Sequence, residues 1–217
     1  MKTILEKNRR ISEETILVPF KMSKDEDRYI TVDKLITGNG GSTAFLRLPI
    51  KEGYVNLLIA PNVAVVKDKE AQYIQDEHGF FKGKDFRFIY GGAIDKNIGA
   101  NIEGRFPDVI VMVIDSFLVL EEQIQKLPID KILIDEAHSV VQQSSFRPKL
   151  ISFADRVKSS YPSSSIVLLT ATPTLFMKVD VRINSPFVKG FPIHYTRDRK
   201  EVINKIKKDV RNGVNVI

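Results

Sequence analysis

Apolar and β-branched residues fall in short runs along the chain, separated by polar stretches of different rhythm. Six runs read as strands: ITVDKLI (30–36), YVNLLIA (54–60), FRFIY (86–90), DVIVMVI (108–114), KILID (131–135) and SIVLLTA (165–171). Those at 54–60, 108–114 and 165–171 are apolar nearly throughout. That is the pattern of a strand covered on both faces, as in a parallel sheet between helices. The segments 62–78, 118–127 and 149–160 are placed to supply crossovers. The alternation predicts an α/β fold: an open sheet of mostly parallel strands, helices on both faces and right-handed crossovers.

The stretch 140–150 is polar, contains a proline and reads as a surface loop. After residue 180 the rhythm breaks at Pro186, Gly190 and Pro192. In RKEVINKIKKDVR (199–211), Val202, Ile206 and Val210 recur at helical spacing on a basic segment, the pattern of an amphipathic helix with a solvated face. The final GVNVI reads either as the start of another strand or as a short terminal one. The expected organisation is an N-terminal extension over 1–29, a main domain over 30–196, and a basic helix with the start of a link to a second domain over 197–217.

Composition narrows the function classes. The 217 residues include no cysteine, so disulfides and thiolate metal sites are excluded. The formal net charge of +6 and a pI near 9.4 lean toward polyanionic partners. The N-terminal segment lacks a secretory apolar region, and the longest apolar run (109–120) contains Asp115 and is too short to cross a bilayer. A soluble, cytoplasmic protein without a membrane partner is expected.

Candidate chemistry sits at the ends of the apolar runs. KILIDEAHSV (131–140) delivers Asp135 and Glu136 to the carboxyl end of a strand, where open α/β sheets gather their ligands. A carboxylate there can hold Mg2+, directly or through water. Glu136 can take a proton from an attacking water, and His138 can bond to neighbouring groups. A second run ends in Thr170, Ala171 and Thr172, whose hydroxyls can reach across the strand ends to the acidic pair. Upstream, KLITGNGGSTAFL (34–46) gathers Thr37, Gly38, Asn39, Gly40, Gly41, Ser42 and Thr43 in a turn after a strand. The N–H groups of such a turn and the helix after it attract phosphate, and Ser42 or Thr43 can coordinate Mg2+.

IDEAH (134–138) followed by LTATPT (169–174), with the glycine-rich turn before them, resembles the first RecA-like domain of superfamily 2 helicases and translocases, the DEAD/DEAH-box-like group. The likeness spans roughly residues 30–175. LLIAPN (57–62) and, more weakly, VIDSF (113–117) are similar to stretches that touch the nucleic-acid backbone in that family. The resemblance implies a RecA-like P-loop NTPase fold and an ATP hydrolase of helicase type, with ATP and Mg2+ as cofactors. It implies Ser42 and Asp135 as metal ligands, Glu136 as the base that orients water, and residues 37–43 as the nucleotide cradle. His138, Thr170, Ala171 and Thr172 would couple hydrolysis to movement, and Pro61, Asn62, Asp115 and Ser116 would contact nucleic acid. The implied partners are nucleic acid, DNA ahead of RNA, and a second RecA-like domain.

The loop departs from the family pattern Ala-x-x-Gly-x-Gly-Lys-Thr. Leu35 stands for the alanine, Gly41 for the lysine, and Ser42 takes the hydroxyl position. A missing charge-assisted contact is worth about 1.5–3 kcal/mol, or one to two decades in affinity or rate. Lys34 before the loop and Arg47 after it are candidates to fold back as substitutes, and Pro49 should end the helix after about two turns.

Two other readings stand beside the motor. Gly41 favours a catalytically silent RecA-like module that binds nucleic acid or a partner protein, its nucleotide site weakened or lost. A metal site of a nuclease or hydrolase made by Asp135, Glu136 and His138 meets an obstacle: adjacent strand residues point to opposite faces. The three histidines, His78, His138 and His194, also lack ligand spacing. Asn62 reads equally as a helix cap, Ser116 as a cap for the segment after it, and YGG (90–92) as a turn.

Overall fold

The apolar runs fold as strands because each is short, rich in branched residues and bounded by turns. A computed structural model of the chain describes residues 1–76, 79–91, 106–143, 152–174 and 177–186, all within one compact unit, Met1–Phe187. Its elements in order are β1 (Lys2–Leu5), α1 (Glu13–Asp25), β2 (Ile30–Asp33), α2 (Gly41–Arg47), β3 (Val55–Ala60), α3 (Val63–Ile74) and β4 (Phe86–Ile89). There follow β5 (Val109–Val113), α4 (Ile114–Ile124), β6 (Ile129–Ile134), α5 (His138–Gln143), α6 (Phe153–Ser160), β7 (Ser165–Thr170) and β8 (Val181–Asn184).

The strands form one eight-stranded sheet in the order β1-β8-β2-β7-β6-β3-β5-β4, and every neighbouring pair is parallel. A parallel sheet needs cover on both faces. Val109, Val111 and Val113 of β5 face one cluster, with Phe20 of α1, Phe45 of α2 and Val66 of α3. Ile110 and Met112 face the other, with Phe117 and Leu120 of α4 and Phe153 and Val157 of α6. The alternation of side chains along a strand thus divides one apolar run between two cores. Because β7 and β6 lie between β2 and β3, the carboxyl ends of β2, β7 and β6 are brought side by side. Open α/β sheets bind ligands at such a place.

Residues 1–29, expected as an extension, contribute an edge strand and a core helix. β1 pairs with β8. Helix α1 starts where the Ser12 hydroxyl accepts the Thr15 N–H at 3.2 Å, carries Glu13 and Glu14 in its first turn, and stacks Phe20 on Phe45 of α2 at 5.4 Å between ring centroids. Its far end is tied to β7, where the Ile166 N–H donates to Ser23 Oγ at 2.8 Å.

The other differences from the sequence reading have local causes. β1 and β8 were not expected, because four-residue strands carrying charges leave no long apolar run. β2 stops at Asp33, and the chain turns at Leu35, whose φ is 60°. Helix α4 begins at Ile114 directly after β5, so the apolar run 109–120 is strand and helix in succession. Its N-cap is Val113, which places Ser116 inside the first turn rather than at the cap. The expected loop at 140–150 begins inside α5. The basic segment 199–211, the terminal GVNVI, His78, His194 and Gly92 lie outside the described residues.

Candidate functional site

The loop after β2 is shaped by its first and last residues. Leu35 donates its N–H to Asp33 Oδ1 at 2.9 Å and adopts a left-handed conformation. Gly38 and Gly40 follow at φ 73° and 84°, where a side chain would be strained, and open space lies where a Cβ on Gly38 would be. Buried Asn39 spans the turn: its Nδ2 donates to the Lys34 carbonyl at 2.8 Å, and its own carbonyl accepts the Ile11 N–H at 2.8 Å. Helix α2 then runs only from Gly41 to Arg47, ended by Leu48 and Pro49 as expected.

β6 ends at Ile134, and Asp135 donates its N–H to the Ile59 carbonyl at 2.9 Å. Glu136 has φ 47°, a conformation that costs a non-glycine residue about 1–2 kcal/mol. The turn it makes defeats the opposite-faces rule. Lys34 Nζ lies 3.3 Å from Asp135 Oδ1 and 2.7 Å from Glu136 Oε1, so both carboxylates converge on one ammonium. Burial by itself would push the Lys34 ammonium down, but the Asp135 charge, joined by Glu136, outweighs it and holds the group above the ordinary lysine value.

On the far side of the acidic pair, His138 Nδ1 lies 3.4 Å from Glu136 Oε2 and 2.9 Å from Thr170 Oγ1. The Thr172 N–H donates to the same Thr170 oxygen at 3.1 Å. Ala171 follows Thr170 on the turn leaving β7, half-buried, while Thr172 is exposed.

The glycine loop and the acidic pair, but not His138, Thr170, Ala171 or Thr172, line a cleft of about 550 Å3 that runs from the loop into the space between α2 and α3. Lys34, Gly38, Gly40, Gly41, Ser42, Thr43, Asp135 and Glu136 all line it. Exposed Thr37 and buried Asn39 do not, and Asn39 instead braces the loop through the Nδ2 bond to the Lys34 carbonyl. The Thr43 hydroxyl is engaged by α3: it accepts from Lys69 Nζ at 3.1 Å and lies 3.3 Å from Gln72 Oε1. Arg10, whose side chain packs over Gly40, and the buried Lys69 also line the cleft. Sequence reasoning missed both, because one sits in a polar N-terminal stretch and the other on an ordinary helical face.

Position 41 holds a surprise. A Cβ on Gly41 would lie 2.7 Å from Leu169 Cδ2 and 3.4 Å from Ile11 Cδ1, inside the first core cluster. Arg47, the other candidate substitute, places its guanidinium carbon 3.8 Å from the Phe80 ring centre.

The residues suit a magnesium nucleotide in type. Convergent carboxylates provide hard oxygen donors for the metal, the glycine loop leaves its backbone accessible, and Lys34 brings a cation. Among the described residues, no group of three or more histidine, aspartate and glutamate side chains could hold a metal by itself. The stretches expected to touch nucleic acid leave the neighbouring strands β3 and β5. Half-buried Pro61 and exposed Asn62 follow β3, and Asn62 caps α3 by accepting the Val65 N–H at 3.1 Å. Exposed Asp115 and buried Ser116 lie in the first turn of α4.

No described helix is long and apolar enough to cross a membrane. No family model matches the sequence, and no curated protein matches it. Among solved structures, the chain is similar to the DUF1998 helicase MrfA, with 16% identity and a TM-score of 0.58. The match covers 93% of this chain and 35% of that one, so this chain spans about a third of that helicase's length. The open parallel α/β sheet of this protein is therefore a helicase-like fold.

Proposed function

We propose that this chain is a nucleotide-binding motor domain of a nucleic-acid helicase or translocase, acting with a second RecA-like domain. The observation that carries the reading is the convergence of Asp135, Glu136 and Lys34 beside the glycine loop, at the carboxyl ends of β2, β7 and β6. The basic charge and the helicase-like fold support it.

Asp135 and Ser42 would hold Mg2+, which when bound neutralises charge on the phosphates. The loop from Thr37 to Thr43 cradles the nucleotide through its backbone. Glu136 orients water and accepts its proton, and the turn at its strained φ fixes that carboxylate beside Asp135. His138 and the Thr170 hydroxyl carry a change at Glu136 to the turn of Ala171 and Thr172. Pro61, Asn62, Asp115 and Ser116, after the neighbouring strands β3 and β5, offer a track for nucleic acid. Hydrolysis by this domain alone is slow, because such motors complete the cleft with an arginine from the facing domain.

The test is phosphate release by the full-length protein with and without single-stranded DNA or RNA. Stimulation by nucleic acid and its loss in Glu136→Gln are expected. Release indifferent both to nucleic acid and to Glu136→Gln would overturn the reading. One observation favours a silent module instead: the position of the family lysine is filled by core atoms. Titration of the wild-type chain with ATP and Mg2+ separates the two, since a silent module stays unoccupied.

A further inference from the structure

Whatever ammonium meets a phosphate over this loop does not come from position 41. A side chain there would start 2.7 Å from Leu169 Cδ2, in a direction that leads into the core. Lys34, at the opposite end of the loop, is built in from several sides. Its N–H donates to the Thr170 carbonyl at 2.7 Å, and its carbonyl accepts from Asn39 Nδ2 at 2.8 Å and from the Ile36 N–H at 2.7 Å. Leu35 then reverses the chain at φ 60°, while the Lys34 side chain runs to the end of β6.

The geometry points to Lys34 as the phosphate-binding lysine of this cleft, supplied by the residue that opens the loop instead of the one that closes it. This deepens the motor reading and rests on it. Lys34 Nζ has three N–H donors, two of them directed at Glu136 Oε1 and Asp135 Oδ1, so a third remains for a phosphate oxygen. One ammonium against two carboxylates leaves an excess of negative charge, which a divalent cation arriving with a triphosphate can neutralise. Two non-glycine residues at positive φ, Leu35 and Glu136, flank the cluster. Backbone strain of this kind persists only where the surroundings impose it, and it gathers at functional sites. Glu136 Oε2 is buried and makes no hydrogen bond, with His138 Nδ1 3.4 Å away.

The alternative role for Lys34 is a counter-ion that merely neutralises Asp135 and Glu136. Removing Lys34 alone would bury unbalanced charge and endanger folding, so the comparison is made in a Glu136→Gln background. There, Lys34→Met leaves the cluster with the same net charge as the wild type. Both variants and the wild-type chain are titrated with a fluorescent ATP analogue in excess Mg2+, and their thermal midpoints are recorded. The double variant is expected to bind about ten- to a hundredfold more weakly than Glu136→Gln alone. Equal affinity in the two overturns the role of Lys34 while the motor reading survives, because nucleotide still binds. No binding by the wild-type chain overturns both. A measurement that needs no variant is the 15N resonance of Lys34 Nζ during titration of the wild-type chain with ATP and Mg2+. A shift tracking saturation supports the contact, and an unmoved resonance at full occupancy overturns it.

Discussion

His138 Nδ1 lies 2.9 Å from the hydroxyl oxygen of Thr170, which also accepts the Thr172 N–H at 3.1 Å. One buried hydroxyl therefore joins the turn after β6 to the turn after β7. Thr170→Val keeps the shape and removes both bonds. It should cost about 1–3 kcal/mol in urea unfolding, since two polar groups lose their partner. Thr170→Ser should retain most of the stability. In the full-length protein, Thr170→Val is expected to lower nucleic-acid stimulation of phosphate release more than basal release.

Gly41 should not tolerate the lysine that a helicase loop would suggest. Gly41→Ala already places a Cβ 2.7 Å from Leu169 Cδ2 and should destabilise by about 1–3 kcal/mol. Gly41→Lys should cost at least as much and gain no nucleotide affinity. Combined with Leu169→Ala, which opens space, Gly41→Ala should cost less than the sum of the single changes. Additive losses in a double-mutant cycle would contradict the contact.

Glu6 gives the N-terminal segment a pH dependence. Burial raises its carboxyl, but the Ser12 N–H, the Thr15 hydroxyl, the Asn8 N–H and the Ser12 hydroxyl together outweigh that and bring it down from 4.5 to about 2. A carboxyl depressed by folding stabilises above its unfolded value, and that contribution is lost as pH falls through the folded value. Wild-type thermal midpoints should therefore drop between about pH 4.5 and about pH 2, and Glu6→Gln should flatten that part of the profile.

Asn62 can be tested for two roles at once. Asn62→Ala removes the acceptor for Val65 N–H and should cost about 1 kcal/mol. Asn62→Asp keeps the cap and places a negative charge beside the end of β3. Its melting should match the wild type. Its affinity for single-stranded nucleic acid, read by fluorescence anisotropy at low salt, should fall if this edge carries the track.

The strands expected at 54–60 and 165–171 recur as β3 and β7 with boundaries one residue different, because strands buried on both faces must be apolar throughout. β1 and β8 were hidden for the opposite reason: each is only four residues long and carries a charge, and their pairing, β1 at the sheet edge with β8 and β8 in turn with β2, is specified by partners far away in sequence. In the site, the acidic pair and the glycine turn were visible as residue types. The buried Lys69 and the Arg10 side chain over Gly40 were not, since each owes its position to packing between separate helices and loops.

By itself, the order of residues determined the class of fold and the chemistry available at the strand ends, because periodicity and local turn preference act over a few neighbours. Only the tertiary structure decided where charges meet. Lys34 and Asp135 are 101 positions apart, and their contact follows from β2 and β6 lying on either side of β7. Likewise, Gly41 reads in sequence as a missing lysine. In the fold it is a position already filled by Leu169 and Ile11, a fact that depends on three segments packing in one place.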